Sequence, residues 1–90
     1  KERYIMEIKY SRQAEKFLES SEKVIVVRII KKIEELRNDP SPRDSKMVHG
    51  YAEKLFRVRV GNYRILYETD YKNKIVGIVK IEDRPRVYDK

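Results

Sequence analysis

Two residues, Gly61-Asn62, separate two runs of alternating side chains, and this arrangement commits the surrounding chain to an antiparallel hairpin. Leu55–Val60 alternates between apolar and polar residues, and so do residues 63–68. Glycine in so short a link supplies the positive φ that the turn demands. A two-residue turn also sets the register. Val60 falls opposite Tyr63, Arg59 opposite Arg64, Val58 opposite Ile65 and Phe56 opposite Tyr67. Phe56, Val58, Val60, Tyr63, Ile65 and Tyr67 then share one face, which is the core. The other face collects Arg57, Arg59 and Arg64, with Leu66 and Glu68 beside them.

The rest of the chain is organised to cover that core face. Residues 4–10 alternate, with Tyr4, Met6, Ile8 and Tyr10 on one side, and predict a first strand. Ser11 is placed to cap a helix in which Ala14, Phe17 and Leu18 follow at helical spacing. Ser20-Ser21-Glu22 breaks that helix. Residues 24–27 are β-branched, but Val26, Ile29, Ile30, Ile33 and Leu36 carry a helical period over a longer stretch, so one helix is predicted over residues 22–37. Pro40 and Pro42 stop it, because neither donates a backbone hydrogen bond and each steers its predecessor away from helix. A loop is predicted onward through His49-Gly50. After the hairpin, residues 70–74 form a polar turn and residues 75–81 a nearly continuous apolar strand. The predicted order is β-α-α-β-β-β: an α+β fold with a helical hairpin packed on one face of a small, antiparallel-rich sheet. Residues 1–90 form a single domain, without internal repeat or linker.

Charge narrows the function. Charged residues make up 41% of the chain, against 40% apolar, and the net charge is +7. Such an excess suits a polyanionic partner, because neutralising phosphates releases counterions. The abundance of Lys and Glu fits heat-adapted proteins, in which ion-pair networks gain value. With no cysteine there are no disulfides and no thiolate-bound zinc or iron–sulfur cluster. No stretch nears the roughly 18 apolar residues of a membrane span. The opening Lys1-Glu2-Arg3-Tyr4-Ile5-Met6 runs from charge straight into alternation and is no secretory signal, so a cytoplasmic location is expected.

The arginines carry the chemistry. Like charges directly opposite on paired strands are destabilising, so Arg59 against Arg64, with Arg57 two residues along, costs stability. Guanidinium forks match phosphate oxygens and stay charged at any working pH. An ordinary solvated strand face needs neither property, since lysine and glutamate serve there without crowding like charges. A second cluster follows the last strand in Glu82-Asp83-Arg84-Pro85-Arg86-Val87-Tyr88. Cationic neighbours favour tyrosinate, so Arg84 and Arg86 would lower the pKa of Tyr88.

These residues resemble the RelE/ParE toxin superfamily, and specifically its RelE branch of mRNA interferases. The resemblance runs over nearly the whole chain, from Ile8-Lys9-Tyr10-Ser11-Arg12-Gln13-Ala14 through residues 55–67 to Arg84 and Tyr88. Its most specific part is the Arg-Val-Gly-x-Tyr-Arg-x-x-Tyr core of the hairpin. The resemblance implies a toxin that cuts messenger RNA in the ribosomal A site, without metal or cofactor. It also implies a RelB-like antitoxin that blocks the toxin and joins it on operator DNA. Carried over by position, Arg57, Arg59 and Arg64 match the phosphate-holding group, Arg84 the strand-end arginine and Tyr88 the tyrosine. Lys54 and Arg86 are further RNA contacts, and Arg86 is the alternative to Arg84. Two hairpin positions that are often lysine in bacterial relatives are arginine here, and the interval from Arg84 to Tyr88 is shorter than in some relatives. A ParE-like gyrase poison and a non-catalytic subunit of a repressor complex are the alternative readings. His49 is expected to be a loop residue, Tyr51 and Tyr71 turn or core residues, and Glu68, Glu82 and Asp83 solvated or ion-paired.

Overall fold

The computed structural model describes residues 5–83; Arg84, Arg86 and Tyr88 lie outside them. The elements are β1 (Glu7–Tyr10), α1 (Arg12–Glu19), α2 (Lys23–Asn38), β2 (Lys46–Val48), β3 (Leu55–Val60), β4 (Tyr63–Asp70) and β5 (Ile75–Asp83). They build one five-stranded sheet in the order β1-β5-β4-β3-β2. β1 runs parallel to β5, and the remaining pairs are antiparallel. The α+β class and the helical hairpin on one sheet face are as the sequence predicts, with one strand added.

The added strand, β2, occupies part of the predicted loop. Three residues are too few for a periodic signal, and its pairing with β3 depends on how the preceding loop folds. Tyr67 fixes that loop by donating its buried hydroxyl to the Pro40 carbonyl at 3.0 Å. Ser45 then donates to the Pro42 carbonyl through both its backbone N–H, at 3.0 Å, and its hydroxyl, at 2.8 Å. The chain is thereby turned back onto the edge of β3. β1 is shorter than predicted because Met6 leaves the ladder. Its N–H donates to the Arg37 carbonyl at 2.8 Å, and the Arg37 guanidinium donates to the Met6 carbonyl at 3.0 Å.

Ser11 caps α1 as expected, its Oγ accepting from the Ala14 N–H at 3.1 Å. The same hydroxyl donates to the Val79 carbonyl at 2.7 Å, which ties the helix start to β5. Beyond the end of β1, the side-chain amide of Gln13 takes over the edge of β5. Its Nε2 donates to the Ile81 carbonyl at 2.9 Å, and its Oε1 accepts from the Ile81 N–H at 3.0 Å. One residue thus satisfies two backbone groups that a neighbouring strand would otherwise pair.

The core lies between the helices and one sheet face. Ile29, Ile33 and Leu36 of α2 meet Val58, Ile65, Tyr67, Val76, Ile78 and Ile81 there, with Met6 and Ala14. Each fully buried Ile contributes about 1.5–3 kcal/mol. Val24 and Val27, from the β-branched run, lie on the outer side of α2 and are exposed. The helical period therefore outweighs strand propensity.

One irregularity in β5 governs the opposite face. Leu66 pairs with Lys80 and Tyr67 with Ile78, so Val79 is an extra residue in the ladder. This bulge lets Ile78 and Ile81, three residues apart, both reach the core. It also moves Lys80 and Glu82 to the outer face.

Candidate nucleic-acid interface

The outer face of the sheet carries cations in two registered rows. In one, Lys46, Arg57, Leu66 and Lys80 stand side by side across β2, β3, β4 and β5. In the other, Arg59, Arg64 and Glu82 are neighbours on β3, β4 and β5. The hairpin register agrees with the sequence prediction at every pair from Phe56–Tyr67 to Val60–Tyr63. Gly61 takes a φ of 58° and Asn62 does not take positive φ, the arrangement of a two-residue turn with glycine in first place.

Arg57, Arg59 and Arg64 therefore share the face predicted for them. The structure adds Lys46 and Lys80, which sequence reasoning missed. Lys46 lies in the strand that no period announces. Lys80 reaches the outer face only through the bulge. Leu66 sits between Arg57 and Lys80 and is fully buried. Apolar surroundings lower the local dielectric and strengthen the pull of each cation on an anion.

The Arg59–Arg64 repulsion is relieved by Glu82 rather than by Glu68. Arg64 donates from Nε to Glu82 Oε2 at 2.8 Å, and its Nη2 contacts the same oxygen. The other carboxylate oxygen lies 3.5 Å from Lys80 Nζ. Glu82 thus bridges two cations and holds the guanidinium in a fixed orientation. Glu68 instead lies over Gly77, where a Cβ would meet the Glu68 Cγ at 3.3 Å. A second carboxylate, Asp44, sits 2.8 Å from Lys32. The hydrogen bond from Lys32 holds its pKa below the usual carboxylate value, and the charge of Arg57 adds to that effect.

Lys54 is exposed immediately before β3 and His49 is exposed just after β2. Tyr51 and Tyr71 are exposed as well, so neither is a core residue. Arg84, Arg86 and Tyr88, the second half of the predicted site, fall outside the described residues. Among the described residues, no group of three or more His, Asp or Glu side chains is placed to hold a metal ion. Also among them, no helix is long and apolar enough to cross a membrane.

A registered set of guanidinium and ammonium groups on a rigid sheet is suited to holding phosphate oxygens, with arginine supplying paired donors and lysine point charges. The comparisons with known proteins concern the family and the fold. The profile of the ParE toxin of the type II toxin–antitoxin system, parDE, matches residues 8–88. The chain is similar to the toxin in the archaeal RelE–RelB complex from Pyrococcus horikoshii, with 30% identity and a TM-score of 0.78, over 91% of this chain and 98% of that one. It is similar to the RelB–RelE complex from Methanococcus jannaschii, with 29% identity and a TM-score of 0.67, over 90% of this chain and 95% of that one. The isolated E. coli RelE toxin shares the fold at 17% identity and a TM-score of 0.76, over 93% of this chain and 92% of that one. Among curated protein sequences, none is similar to it. With the profile spanning almost its full length and an archaeal RelE sharing both sequence and fold, the chain belongs to the RelE/ParE superfamily of type II toxins.

Proposed function

We propose that this protein is a metal-independent endoribonuclease toxin that cleaves messenger RNA in the ribosomal A site. The observation that carries this reading is the registered outer face, in which Arg57, Arg59 and Arg64 stand together with Lys46 and Lys80. Arg59 and Arg64 are paired directly despite their repulsion. A cost of that kind is repaid when a phosphate lies over the face.

In the reaction, the 2′-hydroxyl of the RNA attacks the adjacent phosphorus. A bond forms from the 2′-oxygen to phosphorus and the bond to the 5′-oxygen breaks, leaving a 2′,3′-cyclic phosphate and a 5′-hydroxyl. The 2′-hydroxyl proton passes to a base, and the departing 5′-oxygen gains one. Negative charge grows on the phosphoryl oxygens in the transition state, so preoriented donors supply most of the acceleration. Arg57, Arg59 and Arg64 fill that role, with Arg64 oriented by Glu82. Tyr88 is assigned as the base, helped by the charges of Arg84 and Arg86. An unperturbed tyrosine titrates near 10, so this role needs those charges. Lys54 and Arg86 add contacts to the RNA backbone.

A RelB-like antitoxin is the proposed partner, on the strength of the RelB complexes formed by the two archaeal relatives. Toxin and antitoxin together are proposed to bind operator DNA. Ribosomal action places the protein in the cytoplasm. The match to the ParE profile favours a second reading, a gyrase poison that cuts no RNA.

The test is cleavage of a messenger in a purified translation system, mapped by primer extension with and without ribosomes. Cuts at A-site positions only when ribosomes are present support the proposal. Intact messenger with inhibited gyrase supports the second reading.

A further inference from the structure

We infer that a groove between α2 and the turn end of β3 is a second phosphate-binding subsite for the strand held by the outer face. This rests on the reading of the protein as an RNA-cleaving toxin. The groove has a volume of about 330 Å³, and its charged lining is Arg28, Lys31, Lys32 and Glu35 from α2 with Arg59 from β3. Residues 28, 31 and 35 recur at intervals of three and four, so they form one stripe along the helix.

Three features make this a site rather than a solvated helix face. First, Gly61 closes the groove at the hairpin turn, and a Cβ there would lie 3.0 Å from Arg28 Nη2. The guanidinium therefore rests against the turn, where a side chain would displace it. Second, the charges are unequally committed. Lys32 is engaged by Asp44 at 2.8 Å and by Glu35 at 3.5 Å. Among the described residues, neither Arg28 nor Lys31 makes an ion pair. Third, β2 pairs only with residues 55–57, so β3 has no described neighbour on that side at Arg59 and Val60. Arg59, Val60 and Gly61, at this end of β3, line the groove. Arg59 belongs both to the groove and to the outer face, which joins the two into one cationic track. A strand whose scissile phosphate lies over Arg64 can pass the turn and place a later phosphate between Arg28 and Lys31. Four of the five charged side chains that line the groove are cationic, so a phosphate backbone is the fitting occupant.

The experiment compares the wild-type chain with R28Q/K31Q. The probes are oligouridylates of about 3 and about 10 nucleotides, 2′-O-methylated so that they cannot be cut. Binding is measured across a salt series. For the long oligomer, the variant should lower the slope of log affinity against log salt by about 1.4, which is two contacts at about 0.7 each. Affinity at 0.1 M salt should fall roughly tenfold or more. The short oligomer, spanning only the arginine face, should respond little. Arg28 and Lys31 are exposed, so the melting temperature should hold. A wild-type slope for the variant on the long oligomer overturns the subsite and leaves the cleavage reading standing. Wild-type protein that binds neither oligomer overturns the subsite, while the cleavage reading is decided by the ribosome assay alone. A variant that keeps its RNA slope but loses affinity for the antitoxin assigns the groove to that protein and overturns the subsite.

Discussion

Arg64 on β4 and Glu82 on β5 face each other across the sheet, and one carboxylate oxygen of Glu82 meets both Nε and Nη2 of Arg64. This ion pair serves the fold by offsetting the Arg59–Arg64 repulsion and serves the site by aiming the guanidinium. In the proposed function it also opposes RNA binding, because a phosphate would compete with the carboxylate for the same donors.

Glu82→Gln separates these effects. Both partners are partly exposed, so the loss of stability should be modest, about 0.5–1 kcal/mol. For a domain of this size that lowers the melting temperature by up to about 8 °C. Affinity for uncleavable RNA should rise, because the competing charge is gone. Thermal melts and equilibrium binding read the two changes independently. Weaker RNA binding in the variant would show that Glu82 helps to build the binding surface.

Arg64→Lys keeps the charge and removes the planar fork. Loss of one preoriented donor to a developing oxyanion typically costs a factor of about 100–1,000. Single-turnover cleavage on programmed ribosomes should therefore slow roughly 100-fold, with a smaller change in affinity. If lysine supports the full rate, Arg64 contributes charge alone and the geometric role assigned to it is wrong.

Tyr88→Phe removes the phenolic oxygen assigned as the base and keeps the aromatic ring. Positioned general bases contribute about 100- to 10,000-fold, so cleavage should drop within that range while ribosome binding persists. Undiminished cleavage would transfer the base role to another group.

Tyr67→Phe tests the fixing of the loop that leads to β2. The variant loses one buried hydrogen bond to Pro40, worth about 1 kcal/mol. It should also change the alkaline limb of stability. Burial favours the neutral phenol, which raises the Tyr67 pKa above its ordinary value of 10.0. The unfolded chain therefore releases this proton first. Stability from Tyr67 is complete below pH 10 and is lost as the pH rises through the folded-state value. Urea denaturation between about pH 9 and 11 should show a shallower decline in the variant. An identical decline in the two proteins would assign the alkaline limb to other groups, including the half-buried Tyr10, whose pKa burial also raises.

Much of the site could be read from local pattern. The two-residue turn dictates the Arg59–Arg64 pairing, and period-two alternation puts Arg57 on the same face, because both rules act between residues close in sequence. The contribution of Glu82 could not be read this way. In an unbroken strand, alternation would put Glu82 on the same side as the core residue Ile78. The bulge at Val79 reverses that; it lies in the β4–β5 pairing, and the Val79 carbonyl accepts from the hydroxyl of Ser11, a residue far away in sequence. Lys46 was hidden for a similar reason, since its strand exists only because the loop from Pro40 to Ser45 folds back. On α2, the place of Arg28 and Lys31 beside the hairpin turn is set by the packing of the helix and not by local pattern.

By itself, then, the sequence determined the helical hairpin, the strand hairpin with its register, the basic character of one sheet face and the resemblance to the toxin superfamily. Each follows from periodicity, turn chemistry or a run of neighbouring residues. Only the tertiary structure decided which carboxylate relieves the arginines, which lysines join them and which helix extends their charge past the turn. Those outcomes come from contacts between segments distant in sequence, where a one-residue bulge or the lack of a Cβ at Gly61 changes which groups meet.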